Sequence, residues 1–156
     1  MKTIVLIFLF FCGNQIVAQT EIEQESENSI QQELYTKCFE NLKPVAELHQ
    51  YVSVKKIKLC SLIECRWVAE YFKDDKRVQS IVFNRATEIV ALLHREQHHV
   101  YLINGLDSYD RAQKENMNMG DNNGMVYISV GDCLSSDILS RFMEIVNEET
   151  QRLLNK

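Results

Sequence analysis

Between Val78 and Leu153 the spacing of apolar residues changes repeatedly, and this constrains the fold more than any single motif. Val78, Ile81, Val82, Ile89, Val90 and Leu93 recur at helical spacing, with Asp74 and Asp75 placed to cap the helix and an end expected near Arg95. Val100 to Ile103 (VYLI) is instead a short continuous apolar run stopped by Asn104-Gly105, which reads as a buried strand and a turn. Asp107 or Ser108 can cap a short polar helix through about Met117, and Gly120 to Gly124 (GDNNG) is a loop. Met125 to Val130 (MVYISV) is a second strand ending at Gly131. Ser135 then caps a closing helix with the stripe Ile138, Leu139, Phe142, Ile145, Val146 and Leu153. A strand, a crossover helix and a second strand imply parallel pairing.

Two helices precede this unit. Ile30, Leu34, Cys38, Leu42 and Val45 form an amphipathic stripe, with Ser29 as its cap, Gln32 reaching back and Pro44 near its end. Ile57, Cys60, Ile63, Cys65 or Trp67, Val68 and Tyr71 form another; Lys55, Lys56 and Lys58 before it read as a solvated face, and Trp67 as a core plug. The expected fold is α+β and mostly helical, in the order α-α-α-β-α-β-α, with a small parallel βαβ element. Two strands are few for a sheet. A third near Tyr51-Val52-Ser53-Val54 is the alternative to a small sheet that leans on its helices.

The amino terminus reads as an address. Lys2, the apolar run Ile4–Cys12 and the sequence Ile16-Val17-Ala18 have the order of a secretory signal peptide, with cleavage expected after Ala18. The nine apolar residues fall short of the roughly 20 that span a bilayer, and no later segment is long enough. Residues 1–18 are thus expected to leave, residues 19–28 to form an acidic flexible lead-in, and residues 29–156 to fold as a single secreted globular domain with no transmembrane segment.

Export gives the cysteines their meaning. Cys12 departs with the leader; Cys38, Cys60, Cys65 and Cys133 remain, an even number that reads as two disulfides. Three pairings are open. A Cys60–Cys65 bridge fits a helix poorly, which favours Cys38 with one of those two and Cys133 with the other. Zinc is the alternative use, but Cys-x4-Cys is not the usual spacing and no second short-spaced pair faces it.

Apolar residues make up 46% and charged residues 25%, near the globular average, which argues against wholesale disorder and fibrous repeats. The net charge of -5 argues against nucleic acid, whose phosphates need a basic footprint. No catalytic motif stands out. His94 and His98 are four apart in HREQHH, as two ligands on one helical face would be, but Arg95 stands where the metalloprotease pattern needs Glu. Capping or surface histidines near a helix end are the plainer reading, and a zinc or copper site the sharper one. Met119 to Val130 matches a calcium loop only at its middle, because Met119 and Val130 replace the terminal carboxylates. Asp107, Asp110, Asp121 and Asp132 all lie at expected element ends and could form a divalent-metal cluster; turn chemistry is the plainer reading. Cys133 follows the second strand as a nucleophile would, though in an exported chain a disulfide suits it better. The residues call for no cofactor.

The C-terminal half resembles a TPM-type domain, the family that takes in thylakoid-lumen and bacterial envelope proteins and the levamisole-receptor modulators. His98 to Ile103 stands for its first strand, Tyr109 to Met119 for its helix, Met119-Gly120 for the end of "WgiG", Asn123-Gly124-Met125-Val126 for "NGvl", and Tyr127 to Gly131 for the following strand and glycine. The likeness covers residues 78–149. Asn118 stands where the family has Trp, a hairpin is collapsed into one strand, and Thr36 to Phe72 has no counterpart. The resemblance implies an α/β sandwich outside the membrane, in a family divided between phosphatases and non-catalytic partners of membrane proteins. Export, four cysteines and the lack of a catalytic constellation give the expectation: a secreted, disulfide-stabilised extracellular domain that binds or modulates an extracellular or cell-surface protein. The alternative is a metal-assisted phosphatase-type hydrolase using the loop aspartates.

Overall fold

Two strands, flanked by helices that also hydrogen-bond their edges, form the centre of the structure. In the computed structural model, residues 30–46, 48, 58–117, 124–131 and 136–156 are described. Contacts divide the chain into Met1–Ile30 and Gln31–Lys156, and the fold is that of the second unit. The described elements are α1 (residues 30–36, all but its first residue in the second unit), α2 (Leu62–Tyr71), α3 (Lys76–Arg95), β1 (His99–Ile103), α4 (Ser108–Met117), β2 (Met125–Ser129) and α5 (Asp137–Leu154). This is the expected α+β order, and β1 and β2 pair in parallel with Tyr101 opposite Tyr127. The leader, the acidic lead-in and the alternative strand near Tyr51–Val54 lie outside the described residues.

The core follows from periodicity. α3 buries Val78, Val82, Ala86, Ile89, Val90 and Leu93; α5 buries Leu139, Phe142, Met143 and Val146. These faces meet each other and the inner side of the sheet, where Val100, Leu102, Val126 and Ile128 are buried. Each large apolar side chain so buried contributes roughly 1.5–3 kcal/mol relative to exposure.

The sheet edges explain how two strands suffice. A two-stranded parallel sheet leaves an outward row of N–H and C=O groups on both strands. On β1, Asn147 of α5 accepts from the Leu102 N–H at 2.7 Å and donates to the Leu102 carbonyl at 2.9 Å. Thr150 donates to the Val100 carbonyl at 2.8 Å. On β2, Asn116 of α4 accepts from the Tyr127 N–H at 2.8 Å and donates to its carbonyl at 3.0 Å. Each asparagine amide thus takes the place of a neighbouring strand. The Ser108 hydroxyl, 2.6 Å from that of Ser129, also donates to the Gly131 carbonyl and ties the start of α4 to the end of β2.

Three expectations about the first two helices need correction. The first helix does not run on towards Pro44: it ends at residue 36, and Cys38 lies beyond it. The chain is drawn off the helix axis by the Cys38–Cys60 disulfide and by the Phe39 N–H, which donates to the Cys60 carbonyl at 2.9 Å. Arg85, buried on α3, holds the following segment by donating to the Lys43 carbonyl at 2.7 Å. The second helix starts at Leu62, not before Cys60. Ser61 caps it by accepting from the Glu64 N–H, and Glu64 reaches back to accept from the Cys60 N–H at 2.8 Å. Finally, Trp67 is no core plug, being 62% exposed.

The disulfide ties α1 to the start of α2 across 22 residues, which in the chain-entropy account is worth roughly 3 kcal/mol. The expected second disulfide through Cys65 is not present: Cys65 is a free, buried thiol. It sits on the inward face of α2 with Leu62, Val68 and Ala69, where it packs as a small apolar group. Cys133 lies outside the described residues.

Candidate functional site

α2 is an amphipathic helix whose outward face is aromatic. Its buried positions are Leu62, Cys65, Val68 and Ala69. Trp67 and Tyr71, one turn apart, therefore fall together on the opposite side, 62% and 83% exposed. Tyr71 stacks edge-on against Phe72, with ring centroids 4.9 Å apart. Beyond Phe72 the chain turns into α3, and Tyr71, Phe72, Asp74, Asp75, Lys76 and Arg77 line an open depression of about 610 Å³. The Asp75 carboxylate is occupied there, accepting from the N–H groups of Arg77 at 2.9 Å and Val78 at 3.2 Å as the cap of α3. The surface thus offers two large aromatic side chains beside a rim of mixed charge. Ion pairing between Arg66 and Glu70, 3.6 Å apart, further braces the helix that carries them.

The sequence-derived candidates are dispersed. Asp107 and Asp110 are exposed at the start of α4, while Asp121 and Asp132 lie outside the described residues. Ser136, rather than the expected Ser135, caps α5, accepting from the Leu139 N–H at 3.1 Å; Ser135 lies outside the described residues. Among the described residues no group of three or more His, Cys, Asp or Glu converges as a metal cluster would. No described helix is long and apolar enough to cross a membrane. Burial pushes the Cys65 thiol far above its ordinary 9.0, so it stays protonated and unreactive in the fold.

The histidines are rearranged relative to the expected pair. α3 stops at Arg95, and Gln97 takes the left-handed conformation with φ 63°. The Gln97 N–H donates to the His94 carbonyl at 3.0 Å and the His98 N–H to the Leu93 carbonyl at 2.9 Å, the reversal that ends many helices. His98 therefore leaves the helical register. His99, as the first residue of β1, meets His94 instead: their Nδ1 atoms are 3.2 Å apart and their ring centroids 4.9 Å. Burial first, then the neighbouring His94 and His98, holds His99 below its ordinary 6.5, so its ring is neutral near pH 7. Sequence spacing missed this pairing because no glycine marks the end of α3. The exposed aromatic face was missed because the stripe through α2 admitted either Cys65 or Trp67 as its inward residue.

No protein family, curated protein or solved structure was found to match the chain.

Proposed function

We propose that this chain is an exported, disulfide-tied domain that works by binding a protein at or outside the cell surface, without turnover. The observation that carries the reading is the Trp67–Tyr71 face. Tryptophan and tyrosine dominate the energetics of protein interfaces, because each buries a large rigid area at little entropic cost. Two such side chains held outward on a capped helix, whose start is tied down by a disulfide, form a ready contact surface. Export is supported by the order of charge, apolar run and small residue before Gln19, and by the Cys38–Cys60 bridge, which suits an oxidising compartment.

The test is a competition experiment. Labelled protein lacking residues 1–18 should bind cells of its source in a saturable manner. Unlabelled wild type should displace it, and a Trp67→Ala/Tyr71→Ala double variant should do so at least tenfold less well. Binding that never saturates, or equal displacement by the double variant, overturns the proposal. So would turnover of an aryl phosphate that is lost on Asp121→Ala.

A further inference from the structure

The reversal at the end of α3 brings two imidazoles from different elements into register. His94 lies in the last turn of the helix and His99 opens β1, with Nδ1 facing Nδ1 at 3.2 Å. Without an ion, that separation suits a hydrogen bond in which one ring carries hydrogen on Nδ1 and the other accepts it. It also matches another arrangement: two imidazole ligands about 2.0–2.1 Å from one ion lie roughly 3.3 Å apart at the tetrahedral angle and roughly 2.9 Å apart at a right angle. We infer that His94 and His99 form a two-imidazole site for a borderline transition-metal ion of the zinc or copper(II) class, with solvent completing the coordination.

Several features fit this chemistry. Both rings are half-buried, so their positions are restrained while one side stays open to water. Both are held by backbone rather than by long flexible stems: His94 by the helix, and His99 by pairing of β1 with β2 in register with Met125. Binding requires both Nδ1 atoms to be free of hydrogen. The ring that carries hydrogen on Nδ1 shifts it to Nε2, and both Nδ1 lone pairs then face the ion. The Glu96 carboxylate is engaged by Lys37, which leaves the remaining coordination positions to water. Hard cations that prefer oxygen are not expected to bind such a pair.

The experiment is a zinc titration of the folded protein lacking residues 1–18, followed through the ring nitrogens of ¹⁵N-labelled histidine. The expected result is saturable binding in which the Nδ1 signals of His94 and His99 shift together and both rings end with hydrogen on Nε2. Isothermal titration should show at least a tenfold weaker affinity for His94→Gln and for His99→Gln, and less than a twofold change for His98→Gln. Circular dichroism establishes that the variants are folded. Magnesium should leave the histidine signals unchanged. Response of His49 or His98 alone, undiminished affinity in both single variants, or no saturation up to millimolar zinc would each overturn the inference.

Discussion

Replacing Asn147 with leucine tests how a two-stranded sheet can stand on its own. The two side chains share the same branched arrangement of heavy atoms, and Asn147 is only half-buried, so leucine's bulkier methyls have room at the surface. What is lost is the pair of hydrogen bonds to the N–H and C=O of Leu102, at 2.7 and 2.9 Å. Each backbone group left without a partner away from water costs about 1–3 kcal/mol. The pair is only partly buried and water recovers some of that, which gives about 2–4 kcal/mol. For a domain of this size one kcal/mol moves Tm by about 4 °C, so a fall of roughly 8–16 °C is expected. Urea unfolding should show a lower midpoint at unchanged slope, because the surface exposed on unfolding stays the same. Asn147→Asp separates hydrogen bonding from shape. Its carboxylate still accepts from the Leu102 N–H but opposes the Leu102 carbonyl; protonation restores a donor. Its destabilisation relative to wild type should therefore shrink as the pH falls through about 4. A leucine variant within 0.5 kcal/mol of wild type, or an aspartate variant whose cost ignores pH, would refute the reasoning. Asn116 does the same work on the other edge with no shared partner, so the two leucine substitutions should add to within about 0.5 kcal/mol.

Other outcomes follow from the same structure. Gln97→Gly should stabilise by about 0.5–1 kcal/mol in thermal or urea unfolding, since glycine takes φ 63° without the steric cost that glutamine bears. Replacing Cys38 and Cys60 together with serine should cost roughly 3 kcal/mol, read as a lower urea midpoint with the fold retained in circular dichroism. The Cys65 thiol is raised in the fold, so the unfolded chain loses its proton first; stability should fall as the pH rises through 9.0 and beyond, by up to about 1.4 kcal/mol per unit. Cys65→Ala should flatten that alkaline slope, whatever its effect at neutral pH. A slope identical in the variant would contradict the burial argument.

Much of the fold was legible because it depends on local periodicity. α3, β1, α4, β2 and α5 fall within a residue or two of the apolar stripes and turn residues that announced them, and Asp75 caps α3 as its position suggested. The glycines of the two Asn-Gly pairs, Gly105 and Gly124, adopt positive φ where turns were expected. The misreadings all needed tertiary information. The stripe Ile30–Val45 is continuous in sequence, but the disulfide from Cys38 to Cys60 takes the chain out of the helix. Trp67 looked like a core residue by type, yet the helix buries Cys65 and turns the indole outward. His94 meets His99 only because Gln97 reverses the backbone, a conformation that the residue type does not advertise. The edge-binding roles of Asn116 and Asn147 leave no trace in spacing, since they depend on where α4 and α5 lie beside the strands.

The most direct test of the central proposal is intact-mass and peptide-mapping mass spectrometry, without reduction, on the chain recovered from the medium of its own cells. A polypeptide beginning at Gln19, with Cys38 joined to Cys60 and Cys65 alkylated only after unfolding, is the predicted result. A chain that keeps Met1 inside the cell, with Cys38 and Cys60 both free, would contradict it.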